Sequence, residues 1–244
     1  VLGQARAASR LAGITTEQEG EVLSFAEKWL EKSKTEPLLV QHIIRHLEDE
    51  IIRLSGKSPE FDIYGDVKRR SNQSALAYVD QCRRKIAAGT DPVAVGIQMA
   101  AAGNIIDFGA RGRTAIDVEK ELECLTETAF SRYDIDSFQN ELESASILLY
   151  ICDNCGEIVF DMLFMEQLKQ LFPNLEIIAA FRQRPTINDA TLVDAHEIGL
   201  DKLVRTISSG SVYPGTILEE TTDEFRNVFN AADVILAKGQ GNFE

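Results

Sequence analysis

The second half of the chain alternates short apolar runs with longer stretches in which apolar residues recur at helical spacing. Each apolar run is brief, rich in β-branched or aromatic residues and closed by polar ones, which is the pattern of a buried strand. Strands are therefore predicted at 147–152, 175–181, 202–207 and 233–237. Helices are predicted at 157–171, 189–198, 214–219 and 222–231. The alternation indicates βαβ units with right-handed crossovers and a mostly parallel sheet covered by helices on both faces.

The first half of the chain shows helical periodicity without this alternation. Thr15-Thr16-Glu17 is a helix start signal, and Pro37 is expected in the first turn of the following helix. Helices are predicted at 5–11, 17–32, 37–54, 67–87, 92–101, 117–126 and 137–143. Because no flexible linker separates the halves, we predict an α/β protein in which a helical domain (1–145) packs on a sheet domain (146–244).

Composition limits the classes of protein to which the chain can belong. The 244 residues are 44% hydrophobic, enough for a sizeable core, and the formal net charge is -14. Such an acidic chain is a poor candidate for sequence-independent nucleic-acid binding, which needs a basic surface. No apolar run approaches the ~20 residues of a membrane span, and no signal peptide is visible, so we expect a cytoplasmic protein without nucleic-acid or membrane partners. The start at Val1 and the end after a glycine-rich turn suggest a longer protein truncated at its C-terminus.

Asp153 and Asn154 directly follow the first predicted strand and precede the helix that begins near Glu157. The carboxyl ends of strands in open α/β sheets are where ligands bind. A carboxylate beside an amide oxygen suits a hard cation such as Mg²⁺ or Mn²⁺, and the start of a helix suits a phosphate. This turn is therefore the first candidate site.

The other predicted strands also end in polar segments. These are 182–191 with Asp189, 208–216 with Ser209-Gly210-Ser211, and 238–244 with Lys238. Taken singly, each is explained by ordinary loop chemistry, with Asp189 as a helix N-cap and the serines as a turn. Four such segments on one edge of one sheet instead favour a metal-assisted phosphate site.

Cysteines and histidines offer competing sites. Cys152 and Cys155 form a CxxC that is open to a redox or half-zinc interpretation, but no second pair occurs, and we interpret both thiols as bystanders. His42 and His46 are four residues apart, yet they lack a neighbouring HExxH glutamate, so they are expected on an ordinary helix surface. His196 is expected to be structural.

Two clusters in the helical half are each open to two interpretations. Arg69 and Asn72, within Lys-Arg-Arg-Ser-Asn at 68–72, either bind an anion at the sheet edge or begin a solvated helix. Asn104 and Asp107 either line the pocket or cap helices. Composition does not choose between them.

These motifs together resemble the damage-control phosphatase family, also known as domain of unknown function 89, in its prokaryotic form. The resemblance rests on DNxGExxFD at 153–161, RPTINDAT at 184–191, SSGSxxPGT at 208–216 and AKGQGNFE at 237–244. KRRSN at 68–72 and GNIIDFG at 103–109 extend it into the helical half, so that it covers essentially the whole chain.

The resemblance implies a helical N-terminal domain on a three-layer α/β/α domain, and a metal-dependent phosphatase acting on small phosphorylated metabolites such as sugar phosphates. It implies one divalent cation (Mg, Mn, Co or Ni) held by Asp153, Asn154 and Asp189, with Glu157 and Lys238 in catalytic positions. The implied substrate and phosphate contacts are Arg69, Asn72, Asn104, Asp107, Ser209, Gly210, Ser211 and Lys238. Family members usually begin with a cysteine pair that would precede Val1, and their final strand and helix would lie beyond Glu244.

We expect phosphomonoester hydrolysis, in which Lys238 and the N–H groups around Ser209-Gly210-Ser211 hold phosphate oxygens. The nucleophile is either Asp153 or a water molecule that Glu157 orients. A salt bridge from Lys238 to Asp153 or Asp189 is the structural alternative for the lysine. Two other functions stay open: an S-adenosylmethionine-dependent methyltransferase, although the expected glycine-rich turn is absent, and a sugar-phosphate-binding module without turnover. The physiological substrate and the oligomeric state are not predicted.

Overall fold

The computed structural model of the protein describes residues 1–103 and 132–243. The helix predicted at 117–126 and the candidate residues Asn104 and Asp107 lie outside these ranges. Within them, no helix is long and apolar enough to cross a membrane.

Three helices open the chain: α1 (Leu2–Ala12), α2 (Thr16–Lys32) and α3 (Val40–Ser55). Thr15 begins α2 with a reciprocal capping box, as the start signal predicts. The prediction for Pro37 is wrong, because α3 begins only at Val40. The three helices pack on one another around a buried apolar cluster that includes Val22, Ala26, Ile43, Leu47 and Ile51.

Four further helices precede the sheet within the described ranges: α4 (Gly65–Leu76), α5 (Val79–Ala88), α6 (Pro92–Ala102) and α7 (Ile135–Ser144). The prediction of one long helix at 67–87 is wrong in its continuity, because the chain turns at Ala77-Tyr78 between α4 and α5. Helix α4 begins, and helix α5 ends, within two residues of the predicted bounds.

In the part of the chain that the structure describes, the sheet contains four parallel strands, as predicted: β1 (Ile147–Ile151), β2 (Glu176–Phe181), β3 (Arg205–Ser208) and β4 (Val234–Ala237), in the order β3-β2-β1-β4. The helices of this half are α8 (Glu157–Leu171), α9 (Leu192–Glu197), α10 (Asp223–Ala231) and α11 (Gln240–Phe243). The helix predicted at 214–219 is wrong, since only a 3₁₀ turn at Leu218–Glu220 forms there. The third strand starts later than predicted because Leu200–Lys202 also forms a 3₁₀ turn.

The side chains of the strands alternate between two buried layers. Leu148 and Tyr150 face the cluster that contains α8, whereas Leu149 and Ile151 face α10 through Phe225. This arrangement is the expected α/β/α sandwich.

Helix α8 joins the two halves of the molecule. Its residues from Glu157 to Met165 are buried on every side. One side faces the sheet, and another packs against α4, α5 and α6 through Val159, Phe160 and Leu163. The break between α4 and α5 lets both helices lie against α8. The domain boundary near residue 145 stays a prediction, because helices from the first half contribute to the same core.

Candidate active site

The turn after β1 and the loop after β2 lie side by side at the carboxyl edge of the sheet. The N–H of Ala190 donates to the Asp153 carbonyl at 2.7 Å, and the N–H of Cys155 donates to the Asn188 carbonyl at 2.9 Å. Asn154 and Asp189 also pair as an isolated β-bridge. Three residues predicted to bind a metal are therefore brought together by backbone hydrogen bonds between segments about 35 residues apart in the sequence.

Arg182, directly after β2, lies between the two acids, and the sequence reasoning missed it. Its Nε donates to Asp189 at 2.7 Å, and its terminal nitrogens reach Asp153 at 3.4 Å and both Thr216 and Asn242 at 2.9 Å. The side chain is only 1% exposed. A buried guanidinium requires partners for its donors, and here they come from three loops and from helix α11, which contains Asn242. Its position at a strand end was the one signal in the sequence.

The acids of this site repel one another. Burial, together with the neighbouring Asp189 and Glu157, raises the pKa of Asp153 to about 7. Burial also raises the pKa of Asp189, although Arg182 opposes the shift. A group of acids that resists ionisation is stabilised by added positive charge, so a bound cation would relieve the repulsion.

The donor set fits a hard divalent cation. In the part of the chain that the structure describes, no three His, Cys, Asp or Glu side chains converge as a metal centre. The residues that fit are two carboxylates, Asp153 and Asp189, with the amide of Asn154. The Asn154 Nδ2 donates to Asp153 at 2.7 Å and to Glu157 at 3.3 Å, which orients the amide among the acids.

Gly239 closes the site behind Asp153. It has φ +79°, and a Cβ added there would lie 2.0 Å from the Asp153 Oδ2. Only glycine allows the backbone after β4 to approach the carboxylate so closely. The glycine-rich turn is therefore a packing requirement of the acid cluster.

Lys238, the residue after β4, points into a buried acidic pocket beneath the site. Its Nζ donates to Glu157, to Asp161 at 2.8 Å and to the Ala100 carbonyl at 2.9 Å. The Tyr150 hydroxyl donates to the same Asp161 oxygen at 2.6 Å. Burial alone would lower the pKa of Lys238, but the two carboxylates raise it above its ordinary value. The ammonium is therefore held charged and fixed in direction.

The salt bridge considered as the structural alternative for Lys238, to Asp153 or Asp189, is therefore wrong. Lys238 pairs with Glu157 and Asp161. Asp153 and Asp189 are paired with Arg182 instead. Asp161 and Tyr150 are members of the site that the sequence reasoning did not identify. Burial raises the pKa of Asp161 to about 6 against the opposing charge of Lys238.

Of the two candidate anion contacts on α4, Asn72 reaches the site. It is buried, and its Oδ1 accepts the N–H of Gly156 at 2.6 Å, so the side chain caps the start of α8. Arg69 is half-exposed and pairs with Asp66 at 2.5 Å. It lines a cavity of about 600 Å³ that also reaches Arg182 and Ser208. The anion-binding role of both residues stays a prediction.

Ser209 and Ser211 are buried, and the N–H groups of the Ser209-Gly210-Ser211 loop are used within the protein. The N–H of Ser209 donates to the Phe181 carbonyl at 2.8 Å. The N–H groups of Gly210 and Ser211 donate to the hydroxyls of Ser208 and Ser209, at 3.1 and 3.2 Å. A phosphate held by these groups would have to replace those bonds, so this part of the predicted site lacks direct support.

A family model described as the damage-control phosphatase ARMT1-like domain matches residues 1–244. The chain belongs to this family. A damage-control phosphatase of Pyrococcus horikoshii is 35% identical over 80% of this chain and 65% of the relative. An uncharacterized protein of Methanocaldococcus jannaschii is 39% identical over 75% of this chain and 60% of the relative. The chain thus spans less than two thirds of the length of these curated relatives.

The solved structures include a close match to this damage-control phosphatase domain. A crystal structure of a protein of the domain of unknown function 89 family from Pyrococcus horikoshii superposes with a TM-score of 0.86 at 31% identity. The match covers 99% of this chain and 82% of that one. The family resemblance and the predicted architecture are therefore both confirmed.

In this chain, the cysteines and histidines considered as competing sites are either buried free thiols or imidazoles that contact other side chains. Cys152 and Cys155 are buried free thiols, and burial raises the pKa of each well above its ordinary value, so neither is set up as a thiolate. His42 contacts Glu220 at 2.9 Å, His46 stacks on Trp29, and His196 contacts Asp201 at 2.7 Å.

Proposed function

We propose that the protein is a divalent-metal-dependent phosphatase that hydrolyses small phosphorylated metabolites such as sugar phosphates. The observation that carries the proposal is the meeting of Asp153, Asn154 and Asp189 at one sheet edge, with the charged Lys238 beneath them. Two relatives, in Pyrococcus horikoshii and Archaeoglobus fulgidus, are themselves named damage-control phosphatases.

Asp153, Asn154 and Asp189 would hold the cation, which when bound supplies Lewis-acid stabilisation of the charge that builds on a transferring phosphoryl group. The positive charge of Arg182 opposes the upward pKa shifts of Asp153 and Asp189, and its bonds to both acids connect their loops. Lys238 supplies a second, protein-borne positive charge, already oriented by its carboxylate partners. Glu157 contacts both the Asn154 amide and Lys238, so it links the two parts of the site.

Among the described residues of the helical half, Asn72 is the one best placed to contact the phosphate. Its Oδ1 is used by Gly156, but its buried Nδ2 has no hydrogen-bond partner among the described residues. A buried amide N–H₂ without a partner is unfavourable, and a substrate oxygen would supply one. This supports the Asn72 role predicted from the sequence.

The experiment is a phosphate-release assay on the full-length protein against a panel of sugar phosphates. We expect release with Mg²⁺, Mn²⁺, Co²⁺ or Ni²⁺ and none with EDTA. Asp153→Asn should lower kcat by about two to three orders of magnitude, since it removes one charge-bearing group of the site. Asp80→Asn, an exposed aspartate on α5, is the matched control and should behave like wild type.

Phosphate release that persists undiminished in EDTA, or in Asp153→Asn at saturating metal, would contradict the proposal. Metal-dependent binding of sugar phosphate without any release would instead identify a binding module.

A further inference from the structure

Two side chains of helix α3 form hydrogen bonds with the backbone of the loop that carries Asp189. A carboxylate oxygen of Glu48 accepts the N–H of Ile187 at 2.7 Å, and the Arg45 guanidinium donates to the Pro185 carbonyl at 2.9 Å. Both side chains are about 5% exposed, and they contact each other at 3.5 Å. These bonds join residues about 140 positions apart in the sequence.

The loop needs to be held because its backbone is strained. Ile187 has φ +44°, and within the described residues it is the one residue other than glycine with a positive φ. The left-handed region is unfavourable for a β-branched side chain, and such a conformation persists only where surrounding contacts fix it. The bond from the Ile187 N–H to Glu48 is such a contact.

The strained segment leads directly into the acid cluster. The N–H of Asp189 donates to the Thr186 carbonyl at 3.0 Å, which closes a tight turn around Ile187. Arg184, at the start of the segment, donates to the Pro59 carbonyl at 2.8 Å. The helical half therefore contacts the segment at three successive points before Asp189 enters the site.

We propose that Arg45 and Glu48 are positioning residues that hold the 184–188 segment in its strained turn and so aim Asp189 at the cation. The inference rests on the proposed function for the identity of the cation site. It assigns to the N-terminal helices a part in building that site, in addition to their packing.

The test compares variants of the full-length protein by Mn²⁺ calorimetry and by amide hydrogen exchange without metal. Glu48→Ala should weaken Mn²⁺ binding about 10- to 100-fold, as for other groups that orient a metal ligand, and should speed exchange at residues 186–190. Glu48→Gln should stay within a few-fold of wild type, because its amide oxygen can still accept the Ile187 N–H. Glu50→Ala is the matched control, because Glu50 lies on the same helix but pairs outward with Arg53.

A second substitution distinguishes a loss of loop positioning from a general loss of protein stability. Glycine adopts positive φ without strain, so Ile187→Gly in the Glu48→Ala background should recover part of the lost Mn²⁺ affinity. If Glu48→Ala does not fold, Arg45→Met, which keeps the aliphatic stem and removes the donors to Pro185, is expected to show the same weakened binding and faster local exchange.

Unchanged Mn²⁺ affinity and unchanged exchange at 186–190 in Glu48→Ala would overturn the inference, as would a lower melting temperature without either change. If wild type binds no Mn²⁺, the proposed function fails, and the exchange experiment decides the positioning role separately. Faster exchange confined to 186–190 then supports that role, and unchanged exchange refutes it.

Discussion

Lys238 and Arg182 divide the acids of the site between them. Arg182 forms salt bridges with Asp189 and Asp153, and Lys238 forms salt bridges with Glu157 and Asp161. Each of these four carboxylates therefore has a cationic neighbour. Burying charges is tolerable only when they are paired in this way. Lys238 is the cation that we expect to meet an incoming phosphate, and a phosphate oxygen would then have to replace one of its three bonds, which go to Glu157, Asp161 and the Ala100 carbonyl.

Lys238→Ala tests that expectation. As a phosphate contact, Lys238 should act on both ground and transition states, so its loss should raise KM and lower kcat, with kcat/KM falling by about two to three orders of magnitude. Stability should also fall, by about 3–5 kcal/mol, because Glu157 and Asp161 are left buried without their partner. Steady-state kinetics well below the melting temperature measure the first effect, and denaturant unfolding measures the second.

Lys169→Ala is a suitable control, because that lysine also bonds a backbone carbonyl but lies exposed and far along α8. A Lys238→Ala protein that is less stable yet keeps its kcat/KM would show that the lysine is only structural.

The turn between β1 and α8 is the element on which the site depends. Gly156 has φ +87° and is capped from α4 by Asn72, so the turn is fixed from both the sheet and the helical half. Cys152 and Cys155 flank Asp153 and Asn154 in this turn, and both point into the core. Their role should be packing, because buried thiols with raised pKa values are poor metal ligands.

The Cys152→Ser, Cys155→Ser double variant is therefore expected to keep its metal dependence and most of its rate. Burying two hydroxyls in place of thiols should lower the free energy of unfolding by about 1–3 kcal/mol for each site. Calorimetric titration with Mn²⁺ and Zn²⁺ measures the first property, and denaturant unfolding measures the second. Cys82→Ser, a buried thiol on α5, is the control for the stability effect alone. Loss of bound metal in the double variant would mean that the thiols are ligands after all.

Across the whole molecule, buried acids make stability depend on pH. Burial raises the pKa of Glu48 and of Asp153 to about 7, and that of Asp161 to about 6. A carboxyl whose folded pKa is raised contributes stability that is complete below its unfolded pKa near 4 and is lost as pH rises through the folded value. The acids with lowered pKa values, such as Asp233, lose their contribution only at pH below about 4.

The metal-free protein should therefore lose unfolding free energy as pH rises from about 4 to about 7, by an amount on the order of a few kcal/mol. Urea unfolding at a series of pH values measures this loss. Asp153→Asn and Glu48→Gln should each weaken the dependence of the unfolding free energy on pH, because the introduced amide side chains do not titrate. Adding Mn²⁺ should stabilise the protein more at pH 7.5 than at pH 5, since protons compete with the cation for the same oxygens. A stability that is constant or rising across this range would contradict the assignment.

The sequence by itself determined the strands of the sheet and the edge at which the site forms. An apolar run such as 147–152 marks a buried strand wherever it lies, and polar residues at its end must sit at the sheet edge, because both properties depend only on neighbouring residues. Asp153, Asn154 and Asp189 could be brought together from this local information and the family motifs.

The tertiary structure alone decided which charged side chains pair with one another and which backbone groups they bond. Lys238 pairs with acids 77 and 81 residues away, and Glu48 bonds an amide 139 residues away. Periodicity carries no information about such pairs, because they depend on how α8 and α3 pack against the strand ends. For the same reason the break between α4 and α5 was not predictable: both segments are helical by local preference, and only packing against α8 requires them to turn.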